Sequence, residues 1–405
     1  MSSPVVAPPE GTPPPGREPG RPRPAGLGAL RALLFSRDGW PYLLLPLIPV
    51  AIVLEVVHAG SALIFFASAL GVVPTAALMG RATEELAERT GPGIGGLLNV
   101  TFGNFPELVI AFFALIAGLH EVVKASIIGS IISNVLLVMG AAMFVGGLGR
   151  DRQRFSGRAA SSQATMLILA SAALAMPAVF QLVEGGGLPP VGAERIDFDG
   201  DVEWLSLAVA VVLLVSYSGG LWFSLKSHRD LFNPPDEEDV EGDGGAGEEG
   251  AEPWPVKRSV ILLALSGVAV GLMSEILVGS ISETAETIGL SEFFIGVIVV
   301  AVVGNAAEHW VAVYVAAKDK MDLAVNIAIG SSAQVALFVA PVLVLLSFVF
   351  GPAPLPLVFN GFELGAVFLA VLIASHVARD GESTWFEGLQ LLSVYAVLGL
   401  TFLFA

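Results

Sequence analysis

Long apolar stretches separated by short polar turns run through most of the chain. Eleven such stretches follow a tail that is rich in Pro, Gly and Arg; they lie at residues 40–58, 60–80, 94–117, 122–148, 159–183, 203–225, 258–282, 291–317, 321–350, 356–377 and 384–404. A helix needs about 20 apolar residues to cross a bilayer, and the stretches lack the alternation of a membrane β-barrel. The pattern therefore predicts an all-α membrane protein with about 11 transmembrane helices.

Basic residues predict the orientation of these helices. Five arginines precede the first stretch, and every other Arg and Lys except Lys124 and Arg195 lies near the turns after the second, fourth, sixth, eighth and tenth stretches. Cytoplasmic loops carry an excess of Lys and Arg. The sequence thus predicts a cytoplasmic N-terminus and a C-terminus outside.

An internal repeat links residues 103–138 to residues 304–339. The two segments align without a gap at a shift of 201 positions, and each contains Gly-Asn-x-x-Glu followed by Gly-Ser. In the predicted topology the first motif runs outward and the second runs inward. We therefore predict two inverted five-helix repeats plus an extra N-terminal helix, an arrangement found in secondary transporters.

These features divide the chain into five predicted parts. They are a disordered Pro/Arg-rich cytoplasmic tail (1–39), an extra transmembrane helix (40–58), the first repeat (60–228), an acidic cytoplasmic linker (229–257) and the second repeat (258–405). The linker holds nine acidic residues between positions 236 and 252, so one segment carries much of the net charge of −17. We interpret it as a flexible, solvated linker, with a cation-attracting or regulatory role as the alternative.

The composition excludes several classes of function. The chain is 54% hydrophobic and contains no cysteine, which excludes disulfides, thiolate metal sites and cysteine nucleophiles. The run His120-Glu121-Val122-Val123-Lys124 has lysine where a zinc protease motif needs its second histidine. A non-transporting scaffold would give no reason for symmetric glutamates in apolar helices. A transporter is therefore favoured over an enzyme, and no nucleic-acid partner is expected.

Glu107 and Glu308, the glutamates of the two motifs, are the candidate centre. An ionisable residue inside a membrane is costly and is read as functional. Two carboxylates supply the charge and oxygen atoms that a divalent cation such as Ca²⁺ needs. Without a cation, desolvation and mutual repulsion favour their protonated forms, so metal and protons exclude one another. This predicts cation/proton exchange, with no cofactor beyond the transported Ca²⁺.

Other polar residues surround this pair in the sequence. The predicted cation ligands also include Asn104, Asn305, Gly103 and Gly304; the supporting polar residues are Ser130, Ser133, Ser332 and Gln334; the predicted proton or access path contains Glu84, Glu85, Glu275 and His309. Pro106 is expected to kink its helix. The alternatives are helix packing for the asparagines, bonds to the preceding helical turn for the serines, a core position for His309 and an ordinary helix end for Glu84 and Glu85.

These motifs resemble the Ca²⁺/H⁺ exchanger family (CAX type) of the calcium/cation antiporter superfamily. The resemblance rests on residues 82–86, 95–104, 129–134, 304–309 and 330–339. It implies that Glu107 and Glu308 bind Ca²⁺ with help from asparagine and backbone oxygens. It also implies that Glu84 or Glu85 and Glu275 lie on access paths.

The expected function is a secondary antiporter that exports cytosolic Ca²⁺ in exchange for H⁺. The alternatives are the same fold exchanging Na⁺, K⁺ or Mn²⁺ for H⁺, or Ca²⁺ for Na⁺. The expected partners are Ca²⁺, H⁺ and the lipid bilayer, and a homo-oligomer is left open. The Ala/Gly/Arg-rich composition and short loops favour a bacterial inner membrane, with a vacuolar membrane as the location in a eukaryote.

Overall fold

A computed structural model describes residues 39–191, 200–223 and 254–405. Residues Pro41–Ala405 form one compact unit. The predicted tail, apart from Gly39, and the acidic residues of the linker lie outside the described residues, as does Arg195.

Thirteen helices and two short strands are described in these ranges. The first group is α1 (Leu47–Val56, after a 3₁₀ turn at Trp40–Leu44), α2 (Ser61–Gly103), α3 (Phe105–Ile116), α4 (His120–Gly147), α5 (Gly157–Val183) and α6 (Gly200–Trp222). The second group is α7 (Val256–Gly279), α8 (Ile281–Ile288), α9 (Glu292–Gly304), α10 (Ala306–Ala317), α11 (Met321–Ser347), α12 (Gly361–Asp380) and α13 (Trp385–Phe404). The strands are β1 (Gln153–Arg154) and β2 (Glu382–Ser383), which pair antiparallel.

Many of these helices can cross a membrane. Within the described ranges, eight helices are long and apolar enough, and ten spans result if each of two bent helix pairs counts as one. The apolar segment Trp40–Val56 is shorter. The prediction of an all-α membrane protein is therefore confirmed, whereas the number of eleven spans and the repeat layout stay predictions.

Helix α2 doubles back on itself. A Cβ atom placed on Gly95 would lie 2.6 Å from the carbonyl oxygen of Ala87. In a straight helix, residues eight positions apart are separated by about 12 Å. The chain therefore reverses between Ala87 and Gly95, and the apolar stretches 60–80 and 94–117 lie on either side of this reversal.

Both motif helices break at their asparagine. Helix α2 gives way to α3 at Asn104 with a bend of 44°, and α9 gives way to α10 at Asn305. The two residues share nearly the same backbone angles, φ −93° and ψ 14° against φ −101° and ψ 3°, a region common in active sites. The expected kink is present, but Pro106 alone does not explain it, because the second break has Ala307 at the matching position.

Three helices near these breaks contain π-helical segments. They lie at Ser133–Val138 in α4, Ile295–Val300 in α9 and Val335–Val339 in α11. Such widened turns are rare and often mark functional sites. Here they occur in the helices that surround the two motifs.

Helices α4 and α13 pack through backbone atoms. A Cβ atom on Gly388 of α13 would lie 2.6 Å from the carbonyl oxygen of Gly140 and 2.8 Å from the Cα atom of Phe144. Gly147 approaches α13 as closely, since its Cβ would lie 2.9 Å from the Cα atom of Trp385. Small residues permit this approach between membrane helices.

Gly388→Ala is expected to lower the melting temperature of the detergent-solubilised protein. The added methyl group overlaps backbone of α4 that cannot rotate away, and overpacking of this kind costs about 1–3 kcal/mol. Gly399→Ala on the same helix is the matched control, because its nearest neighbour is Ile298 Cδ1 at 3.8 Å. Equal melting temperatures for the two variants would contradict the close packing.

Candidate functional site

The two Gly-Asn-x-x-Glu motifs cross, and each glycine faces the glutamate of the other motif. A Cβ atom on Gly304 would lie 3.1 Å from Cγ of Glu107, and one on Gly103 would lie 3.3 Å from Oε1 of Glu308. Glycine at these positions leaves room for the partner's carboxylate. The structure thus brings together the two glutamates that the repeat predicted.

Asn305 holds the Glu107 carboxylate. Its Nδ2 donates to Oε1 of Glu107, to Oγ of Ser130 at 3.2 Å and to the carbonyl oxygen of Ala301 at 2.9 Å. Asn305 is buried at the break between α9 and α10. The break therefore directs a side chain of the second half onto a glutamate of the first half.

Glu308 is held differently. Oγ of Ser331 donates to Oε2 of Glu308 at 2.8 Å. Asn104, the counterpart of Asn305, instead donates through Nδ2 to Oε1 of Gln334. The halves are related in sequence, but their hydrogen bonds at the centre are asymmetric. Ser331 was missed from the sequence, although the shift of 201 positions relates it to Ser130.

Two oxygen atoms at this centre are buried without a hydrogen-bond partner among the described residues. They are Oδ1 of Asn104 and Oε2 of Glu107. Leaving a buried acceptor unsatisfied costs about 1–3 kcal/mol. Carboxylate and amide oxygens are ligands that Ca²⁺ prefers. These atoms and the Glu308 carboxylate therefore form an oxygen-rich centre suited to a hard cation.

No third acidic or histidine ligand is preassembled at this centre. Across the described ranges, no group of three or more His, Asp or Glu side chains could hold a metal ion. A cation bound between Glu107 and Glu308 would complete its shell with amide, hydroxyl, backbone or water oxygens, as Ca²⁺ sites commonly do.

The sequence matches the sodium/calcium exchanger protein family over residues 60–226 and 258–404, which contain both motifs. The chain belongs to this family. This exchanger-family chain is 43% identical over 370 residues to the Ca²⁺/H⁺ antiporter of Aphanothece halophytica, covering 89% of the chain and 95% of that protein. It is 45% identical over 355 residues to the Ca²⁺/H⁺ antiporter of Synechocystis sp., covering 85% and 92%. The resemblance indicated by the motifs is thus confirmed.

A solved structure supports the same conclusion about the fold. The structure of native YfkE, a Ca²⁺/H⁺ antiporter protein, matches with a TM-score of 0.74 at 38% identity, covering 90% of this chain and all of that chain. The exchanger-family chain is accordingly an integral membrane transporter rather than an enzyme. In the zinc-protease-like run, Lys124 Nζ donates to the carbonyl oxygen of Val358 at 3.1 Å.

Of the four predicted supporting polar residues, two contact the centre. Ser130 accepts the Asn305 amide and Gln334 accepts the Asn104 amide. The other two donate to their own helices, as the alternative interpretation expected: Ser133 to the carbonyl oxygen of Ser130 at 3.2 Å, and Ser332 to that of Ala328 at 2.8 Å. Ser332 Oγ also lies 3.4 Å from the carbonyl oxygen of Ile131 in α4. A serine hydroxyl in a helix readily reaches the preceding turn, and a supporting role for Ser133 and Ser332 stays a prediction.

His309 and Glu84 have different surroundings. His309 Nε2 is 3.0 Å from Oδ1 of Asn134 in the π-helical segment of α4, a contact that joins the two halves. Glu84 is exposed on α2. Both placements are compatible with the predicted path.

Glu85 and Glu275 do not contact the centre. Oε2 of Glu85 accepts the backbone N–H of Trp254 at 2.7 Å, and Oε1 lies 4.0 Å from Arg81 Nε. These contacts tie α2 to the residues that precede α7. Glu275 is exposed on α7, and within the described part of the chain no hydrogen bond or ion pair joins it to Glu107 or Glu308. A place for either on the path stays a prediction.

Proposed function

We propose that this protein is a secondary antiporter that exports cytosolic Ca²⁺ in exchange for H⁺, with Glu107 and Glu308 as the shared site. The observation that carries the proposal is the crossing of the two motifs, in which Gly103 faces Glu308 and Gly304 faces Glu107, together with the buried, unpartnered oxygens Oδ1 of Asn104 and Oε2 of Glu107. The naming of two relatives at 43% and 45% identity as Ca²⁺/H⁺ antiporters supports these two ions.

Exchange follows from charge balance at the paired carboxylates. In the empty site, repulsion between Glu107 and Glu308 and their removal from water favour protonation. Binding of Ca²⁺ requires the ionised forms and releases the protons. Asn305 and Ser331 donate hydrogen bonds that orient the carboxylates for the cation. Because the site holds either Ca²⁺ or protons, outward movement of one is coupled to inward movement of the other.

The grouping of the loops supports the orientation that we propose, with the N-terminus in the cytoplasm. The turns that follow the fourth, eighth and tenth apolar stretches meet: β1 pairs with β2, and Arg150 Nε lies 3.7 Å from Oδ1 of Asp319. Between these turns, Nη1 of Arg152 donates a hydrogen bond of 2.7 Å to Oε2 of Glu382, and this bond lowers the pKa of the Glu382 carboxyl. All three turns were predicted to be cytoplasmic, and a bacterial inner membrane is the proposed location.

The experiment that tests the function is uptake of ⁴⁵Ca²⁺ into proteoliposomes that are acidic inside. We expect uptake that requires the pH gradient, stops when an ionophore collapses it, and persists without Na⁺. Excess Na⁺, K⁺, Mn²⁺ and Mg²⁺ serve as competitors that rank selectivity. Uptake driven only by a Na⁺ gradient would replace the proposal with Ca²⁺/Na⁺ exchange. No uptake by folded protein would overturn the Ca²⁺ assignment and favour a monovalent cation.

A further inference from the structure

The two repeats differ at a pair of matched glycines, Gly129 of α4 and Gly330 of α11. A Cβ atom on Gly129 would lie 2.7 Å from the carbonyl carbon and 2.8 Å from the Cα atom of Val297, so the backbone of α9 rests directly on α4. On Gly330 the nearest atoms are side-chain atoms of Asn326 at 3.6 Å and of Gln163 at 3.8 Å. One helix face is sealed by backbone, whereas its counterpart is covered only by polar side chains.

Burial along the two helices shows the same difference. Every residue from His120 to Ile132 of α4 is buried. On α11, Asp322 and Asn326 are exposed, while Gly330 and Gln334 are half-buried. Residues four positions apart share one face of a helix, so these four form a continuous strip. The strip leads from the beginning of α11 to the side chain that binds Asn104.

Polar groups line both sides of this strip. Gln163 of α5 donates through Nε2 to Oδ1 of Asn326, while its own Oε1 is buried without a hydrogen-bond partner in the described ranges. Asp322, at the beginning of α11, accepts the backbone N–H of Ser156. A small pocket beside Glu107 has mostly apolar walls instead, including Val300 of α9 and Val335 of α11. The polar route therefore follows the other face of α11, from Asp322 to Gln334.

We propose that Ca²⁺ reaches the carboxylates from the cytoplasm along one face of α11, with Gln163 of α5 opposite. This face is formed by Asp322, Asn326, Gly330 and Gln334. The path closes at Gly330. The inference rests on the proposed exchange function. At the shift of 201 positions, Val297 of α9 corresponds to position 96, near the end of α2 (Ser61–Gly103). When the site opens outward, this part of α2 packs on Gly330 as α9 now packs on Gly129.

Cysteine labelling tests the path. The chain contains no cysteine, so Asn326→Cys introduces a single thiol, and Ala324→Cys, two positions away on the same helix, is the matched control at the same depth. A charged, membrane-impermeant thiosulfonate is applied to the cytoplasmic side of sealed vesicles without Ca²⁺. We expect Asn326→Cys to react at least about tenfold faster, since Ala324 is fully buried. Equal rates would overturn the path. The readout needs no transport of Ca²⁺, so it stands apart from a failure of the exchange function.

Gly330→Ala tests the closure. The methyl group has room in the present structure, but it would separate two backbones that must touch in the closed path. We expect exchange to be at least about tenfold slower, which corresponds to an activation free energy higher by about 1.4 kcal/mol. The melting temperature is expected to stay unchanged. The double variant Gly330→Ala/Asn326→Cys is expected to be labelled as fast as Asn326→Cys alone. Gly365→Ala, with no atom within 4 Å of its Cβ, is the control. A Gly330→Ala variant with the wild-type rate would overturn the closure, whereas a wild type that moves no Ca²⁺ would count against the proposed function.

Discussion

Glu107→Gln and Glu308→Gln are each expected to reduce gradient-driven Ca²⁺ uptake by at least about 100-fold, which corresponds to about 2.7 kcal/mol. Glutamine keeps the size of the side chain and an oxygen acceptor, so the hydrogen bonds from Asn305 and Ser331 can persist. It removes the negative charge that compensates the cation. An uncompensated charge in a buried site costs several kcal/mol, so one remaining carboxylate does not hold Ca²⁺. Initial rates of ⁴⁵Ca²⁺ uptake in proteoliposomes measure the loss.

The control for both variants is Glu55→Gln. Glu55 is a membrane-helix glutamate of α1 that is exposed, and its loss is expected to leave the uptake rate unchanged. Melting temperatures in detergent verify that all three variants fold. If either central variant kept more than half of the wild-type rate, Ca²⁺ binding by paired carboxylates would be wrong.

The extent of the long helices could be predicted because bilayer thickness sets the length of an apolar run. Residues 159–183 and 384–404 were predicted, and the helices are Gly157–Val183 and Trp385–Phe404. Breaks inside apolar runs are harder to see, because hydropathy does not change there. The turn between α8 and α9, which differ in direction by 115°, did leave a local signal. Gly289 is left-handed, and the Ser291 hydroxyl caps the next helix.

The centre of the site could be predicted because the repeat marks the same residues twice. The shift of 201 positions identified both glutamates and both asparagines, and it also relates Ser331 to Ser130. It could not reveal that Asn305 binds Glu107 while Asn104 binds Gln334. Those bonds join opposite halves, and a sequence repeat carries no information about contacts across its own symmetry axis.

The contact between His309 and Asn134 shows the same limit more strongly. Position 134 corresponds to Val335 in the second repeat, and position 309 corresponds to Leu108 in the first. Neither residue has a polar counterpart, so the repeat gives no reason to pair them. Only the packing of α10 against the π-helical segment of α4 brings them to 3.0 Å.

Asn305→Asp is expected to impair exchange by about 10- to 100-fold, because it removes a hydrogen bond to a charged group, which contributes about 1.5–3 kcal/mol. Asn104→Asp is expected to stay within about tenfold of the wild-type rate. At position 305 the substitution replaces the Nδ2 donor to Glu107 by an oxygen. Two carboxylate oxygens then face one another, and the negative charge repels Glu107.

At position 104 the same substitution has a different consequence. The oxygen that we assign to the cation, Oδ1, remains, and Gln334 can turn its amide so that nitrogen donates to the new carboxylate. The two variants are matched in chemistry and in repeat position, and ⁴⁵Ca²⁺ uptake compares them directly. Equal losses at both positions would show that exchange requires the Asn104 amide nitrogen, which donates to Gln334, even when Oδ1 is kept. The assignment of Oδ1 of Asn104 as the group that matters for Ca²⁺ would then be wrong.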